Sequence, residues 1–206
     1  MKRHSLQIAV LAILVISTPS FAQAPIHFDF EETVDEWTVP DWCLEQTDCV
    51  VKGLSIVQDQ ASSGKSSIKV TCDFPGKTWA AAIVEYEKDI DLRGYKSISA
   101  DIYVPKTSPA VSFDGRIIVT AGPSLWIEMR DPVVLRAGQW TTIKAPLDMS
   151  TSGELRDWKC ATHKDCILSH LDEVKKIAIR IEQNASDDNP SPPYKGSVYI
   201  DNVTIE

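Results

Sequence analysis

The sequence predicts an all-β protein, a two-sheet antiparallel β-sandwich of the jelly-roll kind. Three observations predict it. Apolar and polar residues alternate with period two in short runs, turn-forming Gly, Pro, Asp and Ser separate those runs, and only one brief helical signal is present. The 206 residues are 43% hydrophobic and 24% charged, which is typical of a globular domain.

Ten runs are predicted to be strands. In order they are residues 26–30, 54–57, 67–72, 80–90, 97–104, 116–120, 125–129, 140–146, 176–183 and 197–205. The helical signal is Ser169 followed by Leu171, Asp172 and Val174, where Ser169 and Asp172 have the Ser-x-x-Asp form of an N-cap. It is too short for more than a connector between strands.

The first 22 residues have the order of a signal peptide. Lys2, Arg3 and His4 are followed by an apolar stretch over residues 8–16 and by a segment of small residues that ends at Ala22. The apolar stretch is shorter than the roughly 20 residues that a membrane span needs. We therefore predict a secreted or periplasmic protein with one domain over residues 23–206.

The charge balance argues against nucleic-acid and membrane-surface partners. The formal net charge is −8 at pH 7, and loss of Lys2 and Arg3 would make the chain more acidic still. Proteins that bind nucleic acids or anionic membranes carry basic patches instead.

Five cysteines are present in a chain that is predicted to be exported, so disulfides are expected. Cys43 and Cys49 have the same spacing as Cys160 and Cys166, and each pair follows a Trp. Local pairing within each loop is the simplest assignment and leaves Cys72 as a buried thiol, although cross-pairing of the two loops stays open. Neither pair has the CxxC spacing that zinc sites favour.

Several segments spread along the chain form a joint pattern: Phe28-Asp29-Phe30-Glu31 with Trp37, Ser63-Gly64-Lys65-Ser66-Ser67-Ile68, Ile90-Asp91-Leu92 with residues 97–105, Ala137-Gly138-Gln139-Trp140-Thr141, and Tyr199-Ile200-Asp201-Asn202-Val203. Together they resemble the galactose-binding-like β-sandwich of secreted bacterial carbohydrate-binding modules. By position in this resemblance, Trp37 and Trp140 are expected in the core. The two loops with Trp and Cys depart from the family pattern.

The resemblance implies a structural Ca²⁺ that joins both chain ends to the glycine loop. Glu31 and Asp201 would supply carboxylates and Lys65 its carbonyl, with Asp29 a less secure addition. Calcium prefers such hard oxygen ligands.

Alternation also predicts a sheet face that could bind a sugar. Residues opposite the apolar set are Trp126, Glu128 and Arg130 in one strand, Arg180 and Glu182 in a second, and Asp101 and Tyr103 in a third. Glu85 and Glu87 extend the same surface. An aromatic ring covers the apolar face of a sugar ring, while Arg, Asp and Glu bind its hydroxyls. Trp79, Trp158 and Trp42, in loop-like contexts, are expected at the rim.

A catalytic role is not predicted. Glu85 and Glu87 alternate on one strand but lack the E-x-D-x-x-E order expected of jelly-roll glucanases, and no nucleophile elbow or HExxH motif is present. We therefore predict a non-catalytic module that binds a polysaccharide or oligosaccharide. The alternatives are a periplasmic or surface protein-interaction domain of the same fold and, with less support, a glycosidase or lyase.

Overall fold

The computed structural model describes residues 23–107, 109–122, 124–148, 156–161 and 171–206. These residues form thirteen strands: β1 (Ile26–Phe28), β2 (Trp37–Thr38), β3 (Val51–Val57), β4 (Ser67–Phe74), β5 (Ala80–Ile90), β6 (Ser97–Tyr103), β7 (Phe113–Ala121), β8 (Leu125–Met129), β9 (Val133–Leu135), β10 (Trp140–Pro146), β11 (Trp158–Cys160), β12 (Val174–Gln183) and β13 (Tyr194–Ile205). A four-residue helix, α1 (Asp41–Leu44), and a 3₁₀ turn over Leu171–Glu173 complete the described elements.

The strands pair into two antiparallel sheets, as predicted. Sheet A has the order β10-β6-β13-β4-β3, with β1 paired to β13. Sheet B has the order β11-β8-β7-β12-β5-β2, with β9 paired to β7. Among the described residues, no helix is long and apolar enough to cross a membrane.

The core lies between the inward faces of the two sheets, and the predicted alternation is confirmed. Ile98, Ala100 and Ile102 of β6 are fully buried from sheet A, while Ile177, Ile179 and Ile181 of β12 are buried from sheet B. Trp37 is also buried and packs on Phe28 and Tyr86, as expected for a core aromatic residue.

Short elements account for the differences from the sequence prediction. β2, β9 and β11 have two or three residues each, too few to show a period, and α1 was not predicted. The predicted connector is a single 3₁₀ turn over its described part, residues 171–173.

A second, smaller apolar cluster lies on the outer face of sheet B. The disulfide loop, residues 39–49, crosses this face and places the buried Cys43 over Ile83, Ile118 and Ala178. Cys43 is bonded to Cys49, as predicted, and Asp48 O accepts a hydrogen bond from Ala81 N at 2.8 Å, which anchors the loop to β5. This cover buries strand positions that alternation alone would leave in solvent.

The remaining cysteines agree with local pairing as far as they are described. Cys72 is a buried free thiol. Cys160 is disulfide-bonded, and its predicted partner, Cys166, lies outside the described residues, as does the predicted signal peptide.

Candidate functional site

A groove of about 650 Å³ opens on the outer face of sheet B, beside the disulfide loop. β5 supplies Ala81, Ile83 and Glu85 to its floor, and β12 supplies Lys176 and Arg180. The remaining lining residues are Trp42, Gln46, Asp48, Cys49, Trp79, Thr120, Ser124, Trp126 and Ala161. A cavity of this size is typical of small-ligand sites.

Three tryptophans line the groove. Trp42 of the disulfide loop meets Trp126 of β8 edge to face, with ring centroids 5.7 Å apart. Trp79, which directly precedes β5, lies 5.7 Å from the Arg180 guanidinium and is 38% exposed. Their indole N–H groups make no hydrogen bond within the described residues. The groove therefore offers aromatic rings for stacking and indole N–H donors that are available for hydrogen bonds.

A chain of ion pairs lies under and beside the groove. Arg180 of β12 contacts Glu128 Oε2 at 2.8 Å and Glu182 Oε2 at 2.9 Å. Glu182 also accepts a hydrogen bond from Arg116 Nε at 3.0 Å, and Lys159 Nζ lies 3.0 Å from Glu128. Because Arg180 is held from two sides and is mostly buried, its guanidinium is fixed beneath the Trp79 ring.

The ionised forms of these groups are favoured by their neighbours. Burial raises the pKa of the Glu128 carboxyl, but Arg180, Lys159 and Arg116 outweigh it, and the net pKa is below its ordinary value. Burial lowers the pKa of Lys176, but hydrogen bonds to Glu87 and Glu85 raise it above its ordinary value overall. Positive and negative charges in the groove are thus paired with each other.

The structure brings together part of the predicted ligand face. Trp126, Arg180 and Trp79 line the groove, and Glu128 and Glu182 hold Arg180. Arg130 follows β8 outside the groove and donates through Nη2 to Trp158 O at 2.9 Å.

Tyr103 and Asp101 do not belong to this face. Both lie in β6, which is part of sheet A, whereas Trp126 lies in sheet B. Alternation reports which side of a strand a residue occupies but not which sheet the strand joins, so the sequence placed them wrongly. The Asp101 carboxylate is buried and accepts hydrogen bonds from Ser62, Thr142 and Asn202, so its role is structural.

Two tryptophan predictions also need correction. Trp158 is not at the rim: it is 2% exposed in β11, and its Nε1 donates to Pro146 O at 2.7 Å. Trp140 is not in the core: it is partly exposed on the outer face of sheet A, where it packs against Tyr103.

Sequence reasoning missed Lys176, Thr120 and the apolar floor. Lys176 shares the period-two series of Arg180 and Glu182, so the same alternation indicates its face. Thr120 pairs with Trp126 across β7 and β8, a register that the sequence does not reveal. From the sequence alone, Ile83 would be assigned to the core between the sheets. It lies instead on the outer face of sheet B, where the disulfide loop covers it, and the sequence does not show that cover.

Two of the residues predicted to bind calcium, Glu31 and Asp201, each contact the glycine loop (residues 62–66). Glu31 Oε1 accepts hydrogen bonds from Lys65 N and Ser66 N, and Asp201 Oδ2 accepts them from Ser62 N and Ser63 N. Asp29 accepts instead from Glu31 N. Glu31 Oε2 makes no hydrogen bond or ion pair among the described residues. The described ranges contain no group of three His, Cys, Asp or Glu that could hold a metal ion.

Comparison with known proteins supports the fold. No protein-family model matches the chain, and no curated protein matches it. Among solved structures, the carbohydrate-binding module CBM27-1 of Caldicellulosiruptor saccharolyticus, solved in complex with mannohexaose, is 20% identical with a TM-score of 0.59, over 89% of this chain and 97% of that one.

A second similar structure is the family 11 carbohydrate-binding module of Clostridium thermocellum, solved in complex with a β-1,3-1,4-mixed-linked tetrasaccharide. It is 17% identical with a TM-score of 0.52, over 88% of this chain and 94% of that one. The predicted β-sandwich of carbohydrate-binding modules is thereby confirmed as the fold of this chain.

Proposed function

We propose that the protein is a non-catalytic module that binds a polysaccharide chain in the groove on sheet B. The observation that carries the proposal is the three tryptophans around one groove, with partly exposed rings and indole N–H groups that make no hydrogen bond to any described residue. Sugar rings offer an apolar C–H face for stacking and hydroxyls for hydrogen bonds, and this groove provides partners for both.

The similar structures also support the proposal that the protein binds a carbohydrate. Two modules of this fold were solved with oligosaccharides bound, mannohexaose in one and a mixed-linked tetrasaccharide in the other. The shared fold does not by itself carry function, so the proposal depends on the groove. The disulfide between Cys43 and Cys49 supports a secreted or periplasmic location, because such bonds persist in oxidising compartments.

Calcium remains part of the proposal. Glu31, Asp201 and the Lys65 carbonyl would hold the ion at the chain-end junction, and the ion would supply stability there. The fit is one of donor chemistry: two carboxylates meet at one loop, and one carboxylate oxygen is unused. The groove lies on the other sheet, so this ion would not contact the sugar.

The experiment is affinity electrophoresis of residues 23–206 against a panel of neutral polysaccharides that includes mannan, mixed-linkage β-glucan and xylan. We expect retardation by at least one polysaccharide and a fall in that retardation of at least about tenfold in the double variant Trp126→Ala, Trp79→Ala. Exposed Lys195, which lies in β13 of sheet A outside the groove and contacts Asp73, provides a control in Lys195→Ala. If the folded protein is retarded by none of them, a protein-interaction domain becomes the better reading.

A further inference from the structure

The outer face of sheet A has an aromatic row that the groove does not use. Trp140 of β10, Tyr103 of β6 and Tyr199 of β13 are paired directly across neighbouring strands, and Tyr199 is paired in turn with Lys69 of β4. Strands lie about 4.8 Å apart, so the three aromatic residues run across the sheet for about 10 Å. We call Trp140, Tyr103 and Tyr199 the aromatic row.

The rings of the row contact one another in sequence. Trp140 and Tyr103 have centroids 5.6 Å apart, and Tyr103 and Tyr199 have centroids 5.9 Å apart. Trp140 and Tyr103 are partly exposed, whereas Tyr199 is buried and donates through its hydroxyl to Asp59 at 3.2 Å. The accessible part of the row is therefore its Trp140 end.

Two hydrogen-bonding groups are also available at the Trp140 end of the row. Within the described ranges, neither the Trp140 indole N–H nor the Tyr103 hydroxyl makes a hydrogen bond. Buried Trp158, in contrast, uses its indole N–H in a bond to Pro146 O. A cavity of about 290 Å³ adjoins Trp140 and is lined in addition by Val134, Arg136, Gln139 and Thr142.

The few cations near the aromatic row argue against an anionic ligand. Lys69, at the Tyr199 end of the row, lies 3.4 Å from Asp59 and 5.7 Å from the Tyr199 ring centre, so a carboxylate already neutralises it. Arg136, which lines the cavity at the Trp140 end, is one further cation. A nucleic acid or a polyanion would need several unpaired cations. A neutral chain with apolar faces and many hydroxyls fits a row of partly exposed rings with free donors.

We propose that the aromatic row is a second carbohydrate-binding surface and that the protein bridges two neutral polysaccharide chains. The row and the groove lie on the outer faces of opposite sheets, and packed sheets are about 10 Å apart, so one chain cannot occupy both without wrapping around an edge. The bridging role goes beyond binding at the groove alone.

The test compares three proteins on the polysaccharide panel: the wild type, the groove variant Trp126→Ala, Trp79→Ala, and the row variant Trp140→Ala, Tyr103→Ala. We expect the row variant to keep most of its binding through the groove, and the groove variant to keep only weak binding, at least about tenfold below the wild type, through the row. We expect only the wild type to precipitate a soluble polysaccharide, measured as turbidity, because precipitation needs two sites on one molecule. Lys195→Ala is expected to precipitate it like the wild type.

Three controls keep the outcomes separate. Thermal unfolding reports whether the row variant is folded, and Tyr103→Phe, which removes only the hydroxyl, is expected to weaken precipitation without a large change in stability. Titration of the wild type with the oligosaccharide of the polysaccharide it binds is expected to give two sites for each molecule.

The possible results distinguish the proposal of binding at the groove from the proposal of bridging through the aromatic row. One site for each wild-type molecule without precipitation would overturn the bridging proposal and leave the groove intact. Loss of all binding in the row variant, with none lost in the groove variant, would overturn the groove and keep the row. Absence of binding by all three folded proteins would overturn both.

Discussion

Trp126 and Trp158 show at the scale of single residues how position decides the role of an aromatic side chain. They lie in the neighbouring strands β8 and β11, yet Trp126 lines the groove while Trp158 is buried with its indole N–H bonded to Pro146 O. Their sequence neighbours differ: Trp126 lies between apolar Leu125 and Ile127, whereas Trp158 lies between charged Asp157 and Lys159. Alternation therefore points Trp158 inward, and the structure places it there.

Opposite consequences are expected when each is truncated. Trp158→Ala should lower the free energy of unfolding by about 3–5 kcal/mol, the usual cost of removing a buried Trp. Trp126→Ala should weaken polysaccharide binding by at least about tenfold and leave a folded protein, because a central aromatic contact is typically worth that much. Urea unfolding and affinity electrophoresis measure the two effects, and a reversed pattern would contradict the site.

Cys72 should be unreactive in the native protein. Burial, with a further contribution from Asp73, raises the pKa of its thiol to about 12, and the thiolate is the reactive form. We expect no labelling of Cys72 by a thiol reagent at pH 8 until denaturant is added, with the labelled peptide identified by mass spectrometry. Rapid labelling of the folded protein would show that sheet A opens at β4.

At the scale of elements, β12 carries the charges that organise the outer face of sheet B. Glu182 contacts both Arg116 and Arg180, and its side chain is 3% exposed. The period-two pattern of β12 predicted correctly that Arg180 and Glu182 share a face. It did not predict their burial, because their contacts come from distant segments: Arg116 of β7, Glu128 of β8 and Trp79 before β5.

Glu182→Gln should therefore be strongly destabilising. It leaves two mostly buried guanidinium groups without their shared carboxylate, and breaking a buried ion pair costs about 3–5 kcal/mol. The exposed pair of Lys88 and Glu36, 3.4 Å apart, gives the control, since Glu36→Gln should leave the free energy of unfolding nearly unchanged. Equal effects of the two substitutions on urea unfolding would contradict the assigned role of Glu182.

The glycine loop is the element on which the calcium prediction depends. It binds Glu31 from one end of the chain and Asp201 from the other, so an ion there would join three segments. We expect added Ca²⁺ to raise the midpoint of thermal unfolding and EDTA to lower it, because a ligand that binds only the folded state stabilises it. An unchanged midpoint would mean that the hydrogen bonds from the loop hold the junction without an ion.

For the whole molecule, the fold could be predicted because alternation, turn residues and the spacing of apolar runs are local properties. The site could be predicted only in part, since sheet membership is a property of the complete topology. Tyr103 is the clearest example: its face was assigned correctly within β6, but β6 pairs with β10 and β13 in the sheet opposite the groove. The disulfide was predictable from spacing, whereas the surface that its loop covers was not.

The central claim is that the groove on sheet B binds a neutral polysaccharide. The most direct measurement is affinity electrophoresis of the wild type and of the double variant Trp126→Ala, Trp79→Ala, both shown to be folded by thermal unfolding. We predict that a polysaccharide of the panel retards the wild type and that the retardation falls at least about tenfold in the variant. Equal retardation of both proteins would show that the sugar binds elsewhere, and no retardation of the wild type by the whole panel would contradict the claim.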